Sequence, residues 1–507
     1  MKKTCFFFKK LGFMCTLFAL LSMVMYTPVM ANSPRRDIRV ESYIYNRVGR
    51  PDDALGPVHA PLPYRFYRSV SARDMGLESL SHINDFKYHD GQFFITQGNT
   101  LIITDDNFYA HTILNSIIYE GVSQTFTTIE GVFVTHTGEI YLAEPAAGRL
   151  IHLDADLNLV RILGHPEGLL IPGDLPYQPQ QVAVDQNGRI FVISGNVLEG
   201  LVEINPDGTF NRFFGQIEVT FTAAELFWRQ LQTRAQRQRS LLWLPTTFTN
   251  LTIDHNGFVF ATLSDGQLGE SVRQLNARGG NLLRRPDNTP VVGDMDFITF
   301  GWGMPLGPST ISQVEVTEFG VYYVFDRTRN RVFAYDIDGH LLFAFGGSGS
   351  REGLTQNVVG MALSGDWIVL ADRQTHTLEV FERTSYGHAI ITAARHQYHA
   401  NYMAAAEYWR QVLDYNPYFQ YANLGIGRAL YRNGYFREAQ QYFLRAQNVP
   451  YYSRAFQQVR ADFLEANFNA IGIGIGVIIV LYICVKIAKR FQLVSRFKNK
   501  RGEVVYD

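Results

Sequence analysis

The chain has 507 residues, 46% hydrophobic and 18% charged, so it can bury cores and is not a disordered polymer. A formal net charge of −1 excludes a general attraction to nucleic acid. Its cysteines, Cys5, Cys15 and Cys484, fall in apolar segments near the two ends, so the long stretch between carries no disulfide, thiolate metal site or cysteine nucleophile.

The length predicts two or three domains. Residues 1–31 read as a secretory signal: Lys2, Lys3, Lys9 and Lys10, an apolar core, then Val29, Met30 and Ala31 as the small-residue cleavage site. A large exported region without cysteine suits a bacterial envelope better than an animal ectodomain. The Asn250-Leu251-Thr252 sequon is therefore incidental. Residues 32–80 form an N-terminal arm, in which residues 63–70 are a candidate strand for closing a ring with the last repeat.

Residues 81–386 repeat loosely as a short apolar strand, a turn with glycine, and two further alternating strands. Six units align, marked by Gly91, Gly138, Gly188, Gly257, Gly320 and Gly365. The clearest spans residues 320–346, with Asp338-Gly339 as a tight-hairpin pair. One such sheet cannot bury both faces alone, and stacking six around an axis can. The expected fold is mainly β: a six-bladed propeller, then α-helical repeats and one C-terminal transmembrane helix.

Residues 216–245 interrupt the rhythm between the third and fourth units. Leu226, Phe227, Trp228, Leu231, Leu241, Leu242 and Trp243 beside Arg229, Arg234, Arg237 and Arg239 predict an amphipathic helical insertion. The plain reading is a basic solvated face on a helix packed at the rim. The sharper one is a lid or docking element, with Trp228 and Trp243 as contacts to a partner or ligand. Residues 278–296 form a second long loop with no assigned role.

Across residues 387–466 the period changes to 3.6. Ala405, Trp409, Val412, Leu413 and Pro417 recur as Ala439, Phe443, Ala446 and Pro450, and Ala405 and Ala439 stand 34 positions apart, the tetratricopeptide period. Gly427 and Gly434 sit where the second repeat wants small residues. A further helix is expected over residues 454–467. Two repeats are too few to stand alone, so they are expected to pack on the propeller or on a partner. The region is rich in tyrosine, and Tyr402 and Tyr435 are its candidate contact residues. Residues 467–488 are apolar and long enough to span a bilayer. Gly472 and Gly476 form a G-x-x-x-G, which either brings two helices together or simply belongs to a glycine-rich span. Lys489, Arg490, Arg496, Lys498, Lys500 and Arg501 make residues 489–507 a basic tail, expected on the cytoplasmic side with the bulk of the chain outside.

Signatures of chemistry are lacking: the chain has no H-E-x-x-H, no G-x-S-x-G, no phosphate-binding glycine loop and no cysteine/histidine cluster. Histidines are scattered, and Asp105, Asp106 and Asp326 stand where turns need aspartate for backbone bonds. The chain is therefore read as non-enzymatic, with no catalytic residue, cofactor or metal assigned.

Asp326, Asn330 and Val332, with Tyr335, Asp336 and Gly339, resemble NHL repeats over about 300 residues. In that family such residues mostly fix loops within a blade, so Asp326, Asn330 and Arg331 are read as structural before ligand-contacting. The order of segments, with the strings at residues 331–339, 345–347, 380–387 and 425–430, looks like a family of exported membrane proteins of Gram-positive bacteria combining an NHL-type propeller with tetratricopeptide repeats. That resemblance implies a role beside carbohydrate ABC transporters and supplies no reaction. The expected function is a membrane-anchored extracytoplasmic binding or scaffold protein. Its propeller recognises a protein or a glycan, and its helices dock a partner such as transporter components. The alternative is a metal-dependent hydrolase, lactonase or lyase at the cell surface. Six-bladed relatives of that kind gather carboxylate, amide or imidazole ligands at the mouth of the axis.

Overall fold

Six hairpin turns repeat one backbone requirement. Gly91, Gly138, Gly188, Gly257, Gly320 and Gly365 all adopt positive φ, a region that side chains with a Cβ rarely enter. Each turn follows the innermost strand of one blade. The computed structural model describes residues 41–47, 55–171, 175–216, 247–264, 270–285, 292–294, 298–300, 304–306 and 308–500. The expected leader, the insertion with Trp228 and Trp243, and the last residues of the tail lie outside the described residues.

The innermost strands are Ile83–His89, Gly131–Val134, Pro179–Val184, Phe248–Ile253, Ile311–Val316 and Val358–Ser364. Each adjoins the next, and the last returns to the first, so the six blades close into a ring. Blades 1, 2 and 3 are four-stranded antiparallel sheets, whereas blade 4 has three strands and a single bridge, Leu275 to Asn281, in place of the fourth. The blades bury their faces against one another through apolar clusters such as Phe86, Phe93, Val369 and Val380 between blades 1 and 6.

The N-terminal arm completes the ring. Tyr64–Val70 pairs antiparallel with Thr377–Arg383 as the outer strand of blade 6, so the expected closing strand forms. Two further strands, Glu41–Arg47 and Leu55–His59, extend blade 5 to six strands. A polar knot anchors this addition. The Asp294 carboxylate accepts from the Tyr43 hydroxyl at 2.7 Å, from the Tyr45 hydroxyl and from Arg331 at 3.2 Å, and Arg331 also pairs with Glu41.

Polar residues at the end of the second strand pin the incoming loop of the same blade. Glu144, Ser194, Ser264, Asp326 and Asp372 accept from the backbone N–H of Thr127, Gln178, Thr247, Thr310 and Asn357 at 2.6, 3.2, 3.0, 3.0 and 3.1 Å. Asp326 thus anchors an incoming loop, and Arg331 ties the two added strands to blade 5 through Asp294 and Glu41. Arginines staple neighbouring blades in the same way. Arg161 donates to the Pro206 carbonyl, Arg212 to that of Ala277 at 2.6 Å, and Arg284 to the Asp338 carboxylate at 2.9 Å.

Helices follow the ring: α1 (Ser385–Tyr398), α2 (Tyr402–Tyr415), α3 (Gln420–Arg432), α4 (Phe436–Arg445), α5 (Val449–Ala466) and α6 (Phe468–Lys500). Each of the first four packs on the next, an arrangement consistent with the 34-residue period. A Cβ on Gly425 would lie 2.5 Å from the Trp409 ring, and one on Gly427 2.6 Å from Phe443, so small residues let the buried aromatics seat. Gly434 does something else: its φ of +81° reverses the chain after α3, and nothing packs within 4 Å of its missing Cβ. The helices dock on blade 5. Tyr421 stacks on His340 at 4.4 Å and donates to Asp336, Asn46 bonds the Tyr418 carbonyl at 2.8 Å, and Arg395 lies 4.8 Å over Phe319.

Val70 is 1% exposed in the cluster shared by blades 6 and 1. Val70→Asp places an unpaired charge there and is expected to lower stability by several kcal/mol, on the order of 3 or more. Differential scanning calorimetry checks this. An unchanged unfolding temperature would contradict closure of the ring by this strand.

Candidate functional site

The axis is where six inner strands converge, and their register assigns what lines it. A bulge interrupts five of these strands at equivalent points: Ile83/Asp85, Pro179/Gln181, Phe248/Asn250, Ile311/Gln313 and Val358/Gly360. Below the bulge, Asp85, Gly131, Gln181, Asn250, Gln313 and Gly360 form one layer. Glycine is required twice, because a Cβ on Gly131 would lie 2.4 Å from the Gln180 carbonyl and one on Gly360 2.5 Å from Phe86. Two residues further on come Lys87, Phe133, Ala183, Thr252, Glu315 and Ala362.

The upper layer is a ring of polar groups that reach between blades. Asp85 accepts from Val132 N–H at 3.0 Å, Asn250 accepts from Val314 N–H at 3.3 Å, and the Gln313 amide donates to the Val359 carbonyl at 2.8 Å. Gln181, from two blades away, lies close enough to Asp85 to oppose the upward shift of its carboxyl. Asn250 is 1% exposed, which closes its sequon to any glycan.

The lower layer carries an ion pair across the axis. Lys87 of blade 1 bonds Glu315 of blade 5 at 2.5 Å, skipping blade 6, where Ala362 leaves room. The ammonium pairs with Glu315 and acts on Asp85 through space. Burial pushes Asp85 and Glu315 above the ordinary carboxyl range, and Lys87 opposes that shift in both. Burial pulls Lys87 down, but Glu315 and Asp85 outweigh it and hold the ammonium above its usual value.

At the bulge itself stand Asn84, Glu130, Gln180, Thr249, Ser312 and Val359, on the face where the long connections leave. Burial raises Glu130, and Arg373 counters it. Arg373 in turn donates to the Ile83 carbonyl at 2.6 Å and to Asn84 at 3.1 Å. The Ser312 hydroxyl and the Asn250 amide nitrogen are buried and have no hydrogen-bond partner among the described residues.

A divalent cation fits poorly on the axis. The donors are of the right kind, but a fixed ammonium already lies on Glu315, where the cation's charge would be needed. Asp336, Asp338 and His340 also bring ligand atoms within 4.8 Å of one another. These groups serve the fold. Asp336 accepts from the turn N–H groups of Asp338 and His340 and from Tyr421, and Asp338 pairs with Arg284. Burial pushes Asp336 up, yet His340, Tyr421 and the turn hold it below its usual value.

The contacts proposed from sequence scatter. Tyr402 opens α2, and the guanidinium of Arg432 covers its ring at 3.8 Å. Tyr435 caps α4 and is 54% exposed. Trp228 and Trp243 lie outside the described residues. The sequence reading did not single out Asp85, Lys87 or Glu315. The signal for them is a charged residue inside an apolar inner strand.

No family model and no curated protein matches the chain. Among solved structures, a streptogramin B lyase aligns over 63% of this chain and 98% of its own, with 12% identity and a TM-score of 0.37. Virginiamycin B lyase from Staphylococcus aureus aligns over 63% and 100%, with 10% identity and a TM-score of 0.36. The Pan2 WD40 domain of Neurospora crassa aligns over 59% and 75%, with 12% identity and a TM-score of 0.29. Likenesses this distant carry no chemistry to this chain.

Lys87→Met leaves buried Glu315 without its ion-pair partner and Asp85 without a nearby positive charge, and is expected to cost about 3–5 kcal/mol near neutral pH. Because burial raises both carboxyls, their folded-state values exceed the unfolded ones, and the folded form is penalised as pH rises through them. The deficit of the variant should therefore shrink as pH falls towards the carboxyl range. Unfolding measured in parallel on both proteins between neutral and acid pH checks this, and a deficit that is independent of pH contradicts it.

Proposed function

We propose that the chain is a membrane-anchored extracytoplasmic recognition and scaffold protein, in which the propeller holds a ligand or protein surface and the helices recruit a partner. The observation that carries this reading is the asymmetry of the two propeller faces. Tight turns end the inner strands on one face, and the helices dock there through Tyr421, Asn46 and Arg395. The long connections leave from the other. They include the hairpin Ser116–Tyr119 with Val122–Thr125 and the connection that leaves the outer strand of blade 2 after Leu163 and enters blade 3 at Pro179. A rigid ring that displays long loops on one side suits recognition.

The tether has the right length. Phe468–Arg490 forms a helix of 23 residues with mean hydropathy 2.5, none of it buried, which by length and composition can cross a membrane. Basic residues beyond it favour a cytoplasmic tail, and on this reading the propeller and helices lie outside. The family resemblance adds carbohydrate transporter components as partners and a glycan as ligand. An exposed Tyr435 on the helices and the loop-rich face are the surfaces for them.

The alternative, a metal-dependent hydrolase, lactonase or lyase, would draw on Asp85, Glu130 and Glu315. The ammonium of Lys87 weighs against it. Turnover of a lactone that chelation abolishes would favour it.

Protease added to intact cells is expected to degrade the bulk of the chain, leaving α6 and the basic tail. Cross-linking in those membranes should capture a neighbour under the scaffold reading, and a glycan array should give hits under the sugar reading. Protection of the propeller in intact cells, with digestion only after permeabilisation, would overturn the placement and the function with it.

A further inference from the structure

Helix α5 is left almost bare. Of its 18 residues only Ala455 is buried. Tyr452, Phe456, Val459 and Phe463 follow at intervals of four, three and four, which places them on one stripe. Phe456 is 49% exposed, Phe463 55% and the flanking Leu464 48%. Arg454 lies on the opposite side of the helix, exposed to water.

This stripe runs directly into the apolar helix. Asn467 alone separates α5 from α6; its φ of −110° and ψ of 9° depart from regular helical values, while its N–H still bonds the Phe463 carbonyl at 3.1 Å and its carbonyl accepts from Ile471 at 2.9 Å. Along a helix the rise is about 1.5 Å per residue, so Phe463 lies roughly 7.5 Å before Phe468 and Phe456 roughly 18 Å before it. The headgroup zone on each side of a bilayer is about 5–8 Å deep. A helix standing upright on α6 would bring Phe463 to the headgroups and leave Phe456 in water. A helix bent at Asn467 and lying along the surface buries both.

We propose that α5 is an interfacial helix whose Tyr452, Phe456, Val459 and Phe463 stripe rests on the boundary between headgroups and acyl chains of the leaflet that α6 enters. Aromatic residues prefer that boundary. Arg460, next to the stripe, reaches lipid phosphates with its stem on the apolar side. The proposal rests on the reading of α6 as a membrane tether. It adds a second contact, which orients the docked helices and the propeller above them.

The test uses the full chain in vesicles of phosphatidylethanolamine and phosphatidylglycerol. Cys5, Cys15 and Cys484 are replaced by alanine, and an environment-sensitive fluorophore is attached through Phe456→Cys, Arg454→Cys or Ile478→Cys. Emission from position 456 should shift to the blue of that from 454 and be quenched by lipids labelled near the headgroup, while 478 reports the bilayer interior. Equal, water-like emission from 456 and 454 with a deep 478 would sink the interfacial helix and leave the tether standing. Water-like emission from all three would remove the tether itself. Cross-linking of position 456 to a second copy would assign the stripe to a protein interface and overturn the lipid proposal.

Discussion

The architecture depends on pairing two segments that lie more than 300 positions apart. Tyr64–Val70 adds to Thr377–Arg383 as the outer strand of blade 6. Without that strand the last blade would end on the unpaired edge of Thr377–Arg383, an open template for association. Closing so long a loop costs conformational entropy only logarithmically in its length, so one well-packed strand suffices. Tyr64 shows how the closure is packed. Its ring lies against Phe345 at 5.3 Å, and its hydroxyl accepts from Arg383 at 2.9 Å.

The ring then creates its own difficulty, because six inner strands meeting at an axis bring polar backbone edges and side chains into a dry space. The solution is a set of bonds between blades. Asp85, Asn250 and Gln313 each satisfy a backbone group of another blade, and Lys87 with Glu315 spans the axis. Such groups stabilise only when satisfied together. Burial pushes the axial carboxyls of Asp85 and Glu315 up, and their charges hold the Lys87 ammonium above its usual value. Two kinds of polar site stand apart. Asp326, Asp372 and Glu144 hold loops and are buried with full sets of donors. Glu130, Ser312 and Asn250 stand nearer the mouth, and Ser312 and Asn250 keep hydrogen-bonding capacity unused among the described residues.

Much of this was legible from residue patterns because the controlling interactions are local. The six turn glycines mark six blades through a conformational need that only glycine meets cheaply. Trp409 and Phe443 announce the helix stack by their spacing. The closing strand was readable from its alternation. The strands Glu41–Arg47 and Leu55–His59 were not, because their partner is the edge of blade 5, far along the chain, and no local pattern names it. The Lys87–Glu315 pair was hidden for the same reason: two residues on different strands meet only after the ring has closed. The ring and its closure were therefore readable, whereas the axial chemistry emerged only from register.

Cysteine usage connects these points. With Cys5, Cys15 and Cys484 as the complete set, the propeller has no covalent staple between its first and last strands. Small exported domains often rely on disulfides or metals. This ring instead relies on strand addition at its rim, arginine staples between blades and a charge pair at its centre. Each of these ties a segment to one distant in sequence, so the ring opens only by losing several at once. A rigid body of that kind can carry long loops on one face without distortion, because the loops contribute little to holding it closed. The long connections thus gather on one face, and the opposite face is bound to the helices by Tyr421 and Asp336.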